Sequence, residues 1–179
     1  MKGVIFNVLE DCVAQEFSPD VWEDLLDEAD LAGAYTSLGN YSDDELDALV
    51  AAASEKLGRT RGEVLRWFGE RAMPVLKDRY PVLFANYASS RNFVLAVNTI
   101  IHPEVRKLYS GANCPHFHFR EDDTGSVFMG YGSSRKLCDL AHGFIVGASK
   151  LWCEQVAITH HSCMNHGDNK CLMEIQWQP

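Results

Sequence analysis

The chain has 179 residues, 46% of them hydrophobic and 23% charged, and carries a formal net charge of −9. That length suits one packed domain over 1–179, and that balance excludes a disordered tail. The negative excess works against phosphate backbones and anionic membrane surfaces, which are bound through Lys and Arg, so neither nucleic acid nor a membrane is an expected partner.

Met1 to Leu9 is apolar but interrupted by Asn7 and halted by Glu10, unlike a secretory leader. No stretch approaches the roughly 20 apolar residues that span a bilayer, and the cytoplasm is the expected compartment. Val4, Ile5, Val8, Leu9, Cys12 and Val13 recur at the spacing of one helix face. Ser18 before Pro19 marks the start of a second helix carrying Val21, Trp22, Leu25 and Leu26. The capping-box pairs Ser42 with Glu45 and Thr60 with Glu63 open two more. A further helix runs from about Ser90 through Phe93, Val94, Val97, Ile100 and Ile101, where Pro103 forbids simple continuation and leaves His102 at a break.

After Gly111 the apolar period changes to two: Phe117 and Phe119, a turn over Asp122 to Gly125, then Val127, Met129 and Tyr131 read as a hairpin. A helix from about Leu137 to Cys153 and strands over Val156–Thr159 and Leu172–Trp177 complete an α+β chain, its helical first half packed on an antiparallel sheet of about four strands with one helix. The acidic stretches Asp43-Asp44-Glu45 and Asp20 to Asp30 read as solvated helix faces.

Two constellations carry chemistry. Tyr131, Ser133 and Arg135, at i, i+2 and i+4 of a strand, project from one face about 6.6 Å apart and offer two hydroxyls and a guanidinium fork to a carboxylate or phosphate. The same three residues also suit a solvated strand end. His102, among Val97, Ile101, Val105 and Leu108, is a neutral imidazole suited to a metal such as haem iron, or a core histidine satisfied by a carbonyl.

Together these residues resemble the haem nitric oxide/oxygen-binding (H-NOX) domain, the bacterial stand-alone relative of the haem domain of soluble guanylate cyclase. The resemblance spans the chain, from Met1-Lys2-Gly3-Val4-Ile5-Phe6 through His102-Pro103 and Cys114-Pro115-His116 to the Tyr-x-Ser-x-Arg signature at 131–135. It implies haem b held noncovalently between a distal helical part (to about residue 65) and a proximal remainder (from about residue 66). It also implies His102 as iron ligand and the haem carboxylates on Tyr131, Ser133 and Arg135. Pro115 matches a proline that packs on the porphyrin and bends it, although a turn proline before a strand needs no haem. Ile5 belongs with the haem-contacting residues.

Oxygen-binding members carry a distal tyrosine, tryptophan and asparagine. The register of the resemblance puts Leu140, Leu9 and Pro74 at those places, none with a donor, which predicts nitric oxide and carbon monoxide complexes and no oxygen complex in air. Such a stand-alone sensor is expected to regulate a separate signalling protein, such as a histidine kinase or a cyclic-di-GMP enzyme, when nitric oxide weakens the tie to His102. No nucleotide loop or catalytic motif argues for an enzyme. The competing readings are an oxygen-binding haem sensor and a zinc-stabilised, redox-sensing binding module.

Cys138, His160, Cys163 and Cys171 supply three thiolates and an imidazole, the ligand set of a closed structural zinc site, and some bacterial members of the family bind zinc through such a set. His161 and His166 are alternative imidazoles. Cys12 and Cys153 read as small core residues.

Overall fold

A computed structural model describes residues 1–178. Seven α-helices precede and interleave with four strands: α1 (Gly3–Glu16), α2 (Pro19–Glu28), α3 (Asp43–Leu57), α4 (Arg61–Arg79), α5 (Ser90–Leu95), α6 (His102–Leu108), β1 (Phe117–Glu121), β2 (Val127–Tyr131), α7 (Cys138–Leu151), β3 (Gln155–Ser162) and β4 (Cys171–Gln178). The arrangement is α+β, as the pattern predicts. No helix among the described residues is long and apolar enough to cross a membrane.

Both capping boxes form: the Ser42 and Thr60 hydroxyls accept backbone N–H groups of the first turn, and Glu45 and Glu63 reach back to the cap N–H. Ser18 occupies the cap of α2 with extended backbone, but its side chain makes no capping bond; Pro19 at the first position sets the start. The β1–β2 turn is held by Asp122, whose Oδ1 accepts from the Thr124 N–H at 3.0 Å, the Thr124 hydroxyl at 2.7 Å and the Ser126 N–H at 3.1 Å. The sheet is antiparallel with order β1-β2-β4-β3. Its inner face buries Phe117, Val127, Met129, Tyr131, Cys171, Met173 and Ile175.

Two helices form the spine. α4 and α7 approach until side chains no longer fit between them: a Cβ on Gly143 would lie 2.2 Å from the Arg66 carbonyl oxygen, and one on Gly69 would lie 2.5 Å from that of Leu140. α4 also packs on α1 and α3, and it runs unbroken through residue 65. Between α5 and α6 the chain widens into a π turn, Val97–Ile101. Pro103 sits in the first turn of α6, where its missing N–H is harmless, and Ile101 and His102 keep helical backbone angles, so the break expected at His102 does not occur there; the irregularity lies before it, in the π turn.

Two expectations are corrected here. β2 stops at Tyr131, and Ser133 to Lys136 form a turn closed by a Lys136 N–H to Ser133 carbonyl bond of 3.0 Å, so Tyr131, Ser133 and Arg135 do not share a strand face. Cys153 is exposed at φ +56, just past α7, and is no core residue, whereas Cys12 is buried at 2% exposure.

Candidate functional site

Between α1, α4, the α5–α6 segment, the inner sheet face and α7 lies a cavity of about 340 Å³. Its walls are largely apolar: Val4 and Ile5 from α1, Met73 and Leu76 from α4, Phe93, Val94 and Val97 before α6, and Leu140, Ala141 and Phe144 from α7. Its polar lining is sparse and includes His102, Arg135, Tyr131, Asp43, Lys2 and Asn40.

Burial is the main reason the His102 pKa is lowered to about 4; the nearby Arg106 adds to this and the Pro115 carbonyl opposes it. His102 is therefore neutral, and its buried Nδ1 has no formed hydrogen bond. The Arg135 side chain is 12% exposed; its Nη2 donates to the Asn113 carbonyl, and its Nη1 lies 4.0 Å from Asp43 Oδ1. Its Nε is buried without a partner. The Tyr131 hydroxyl accepts from the Leu137 N–H at 3.0 Å, and burial raises its pKa, keeping the phenol protonated and able to donate. Asp43 also pairs with the Met1 ammonium at 3.0 Å. A neutral imidazole, an unpartnered guanidinium N–H and a phenol on one largely apolar cavity suit a ligand with one metal and two carboxylates, which is the chemistry of haem.

The cavity thus gathers Ile5, His102, Pro115, Tyr131, Arg135 and Leu140. It does not gather all the residues the sequence nominates. Leu9 is buried in the core away from the lining, and Ser133, half-buried in the turn, accepts from the Arg135 N–H at 3.4 Å without lining the cavity. Pro74 is exposed on the outer side of α4, because the inward stripe of that helix passes through Met73, Leu76 and Tyr80. Met73 stands where Pro74 was expected, and it too offers no donor.

Sequence reading missed Tyr80, Tyr109, Asp43 and Lys2 as lining residues. Asp43 carried only a first-turn signal. The two tyrosines come together from helix ends far apart in the chain.

A second cluster lies behind α7. The sulfurs of Cys138, Cys163 and Cys171 are within 4.8 Å of one another, all buried. The Met164 N–H donates to Cys171 Sγ at 3.2 Å and the Asn165 amide to Cys138 Sγ at 3.5 Å. Burial pushes the Cys138 and Cys171 thiols up. His160 is not part of the cluster: its Nε2 lies 3.0 Å from His142 Nδ1. His161 is paired with Glu174 at 2.8 Å, and His166 is exposed.

The haem-NO-binding family model matches residues 2–160. The crystal structure of an H-NOX protein from S. oneidensis in the Fe(II)NO ligation state is 30% identical, with a TM-score of 0.93 and 100% of each chain covered. The NMR structure of an H-NOX domain from Shewanella oneidensis in the Fe(II)CO ligation state is also 30% identical, with a TM-score of 0.89 and 99% of each chain covered. The Fe(II) unliganded H-NOX protein from K. algicida is 26% identical, with a TM-score of 0.88 and coverage of 100% of this chain and 97% of that one. By family match, fold and cavity, this chain belongs to the haem-NO-binding family and is an H-NOX domain, a haem-binding gas-sensing fold.

Proposed function

We propose that this chain senses nitric oxide and passes the signal to a separate signalling protein, such as a histidine kinase or a cyclic-di-GMP enzyme, acting as a sensor and not as an enzyme. When bound, haem b supplies a ferrous iron that takes up nitric oxide or carbon monoxide. His102 is the protein ligand to that iron, Arg135 and Tyr131 hold the haem carboxylates, Ser133 supports them from the turn, and Pro115 packs on the ring. The observation that carries the reading is the pairing of a neutral, half-buried His102, its Nδ1 shielded and without a partner, with the unpartnered Arg135 Nε in one apolar cavity.

Selection against oxygen is supported by Ile5, Met73 and Leu140, which offer no hydrogen to a bound gas, and by the pairing of the Tyr80 and Tyr109 hydroxyls of the same cavity with each other. The S. oneidensis relatives, seen with nitric oxide and with carbon monoxide, support the same ligands here. We place the protein in the cytoplasm, where six free cysteines stay reduced. The three converging thiols favour zinc, with His160 as fourth ligand once it turns from His142.

The test is the visible spectrum of the purified, dithionite-reduced protein, first in air and then with nitric oxide. A ferrous band unchanged by air and shifted by nitric oxide supports the proposal. A stable oxygen-bound spectrum overturns the selectivity, and failure to take up haem on reconstitution overturns the sensor reading.

A further inference from the structure

The helix that carries His102 turns His102, Val105 and Leu108 to the cavity and packs closely on the π turn that precedes it. Its ties to the rest of the protein lie at its two ends. At the π turn, Asn98 donates its amide N–H to the Phe117 carbonyl at 2.6 Å and accepts the Phe117 N–H at 3.1 Å, docking this end onto the first residue of β1. At the other end, Tyr109 is 8% exposed and its hydroxyl is hydrogen-bonded to that of Tyr80, at the carboxyl end of α4, with the rings edge-to-face. The next residue, Ser110, accepts from Lys2 Nζ at 3.2 Å. The remaining outward bond from α6, Arg106 to the Cys114 carbonyl at 3.5 Å, is on the exposed side.

We propose that α6 is a bar fixed at one end to the sheet through Asn98 and at the other to the helical half through Tyr109–Tyr80 and Ser110–Lys2, and that these anchors limit how far His102 withdraws when nitric oxide binds. The inference rests on the reading of His102 as iron ligand. Three features point to it. The bar joins the two halves that enclose the cavity. The π turn beside Asn98 stores a residue that one α-helical register shift would release, and such turns gather at functional sites. The two hydroxyls satisfy only each other in an apolar wall, so either one left alone is an unpaired polar group. Tyr80 and Tyr109 are therefore positioning residues acting through α6.

The test uses Tyr80→Phe, Tyr109→Phe and the double variant, which keep the rings and their packing. Hydrogen exchange over residues 102–109 is read without haem, and the ratio of five- to six-coordinate absorption bands is read after haem loading, reduction and nitric oxide. Each single variant is expected to speed exchange and raise the five-coordinate share about fivefold, the population effect of one ordinary hydrogen bond. The double variant should be no larger than either single one, since one bond is lost in all three. Exchange and band ratios within about 1.5-fold of the parent, or effects of the two single variants that simply add, would overturn the anchor. A parent protein with no nitric oxide response would instead overturn the gas-sensing reading, and the haem-free exchange would still decide the anchor.

Discussion

Gly143→Ala tests whether the α4–α7 contact sets the shape of the cavity. The added Cβ would meet the Arg66 carbonyl oxygen at 2.2 Å and the Arg66 carbonyl carbon at 2.9 Å, so the helices must part by roughly 1 Å to restore ordinary contact. Intrinsic preference runs the other way, since alanine is favoured over glycine inside a helix by about 1 kcal/mol. Overpacking costs about 1–3 kcal/mol, and the obstacle here is rigid backbone, which puts the cost at or above the top of that range. The balance is a destabilisation of about 2 kcal/mol, or a fall in Tm of about 4–8 °C for a chain of this size. Because α7 also presents Leu140 and Phe144 to the cavity, haem retention should weaken with it. The assay is thermal unfolding by circular dichroism with and without haem, with Gly130→Ala as control, where the new Cβ meets His118 Cβ at 3.4 Å, an ordinary contact. An unchanged or raised Tm for Gly143→Ala would refute the reasoning.

Arg135→Ala should speed haem loss to apomyoglobin by at least tenfold, because a charge-assisted contact is removed from the cavity wall, whereas Ser133→Ala, outside the lining, should change it less than threefold. Burial pushes the Cys12 thiol up to about 12, so its contribution to stability is whole below the unfolded value near 9 and is lost as pH rises from 9 toward 12. Urea midpoints of the parent should fall over that window more steeply than those of Cys12→Ala, and parallel slopes would count against burial as the cause. Cys138→Ala should leave less than one-tenth of the zinc per chain found by elemental analysis in the parent, while His142→Ala, by freeing His160, should retain it; equal zinc in Cys138→Ala and the parent would remove the site.

Much of the fold is legible because its signals are local. Ser42 with Glu45 and Thr60 with Glu63 close their caps within four residues, and Asp122 builds its turn from Thr124 and Ser126. His102 was legible as a candidate ligand through the resemblance carried by His102-Pro103 and the Tyr-x-Ser-x-Arg residues, since an imidazole on an apolar face by itself also suits a core histidine satisfied by a carbonyl. The strand end after Tyr131 was not, since alternation of residue types continues through Ser133 and Arg135 although the ladder to β1 and β4 stops.

The sequence alone determines most element types, the hairpin and the residue identities that suit haem, because periodicity, capping and side-chain chemistry act over a few residues. Only the tertiary structure decides which face of each element meets the cavity. It turns Met73 inward and Pro74 outward, sets His160 against His142, leaves Cys153 in solvent and brings Tyr80 to Tyr109. A period of 3.6 or 2 fixes which residues share a face, but the direction of that face depends on packing between segments far apart in the chain, above all on how closely the glycines of α4 and α7 let those helices meet.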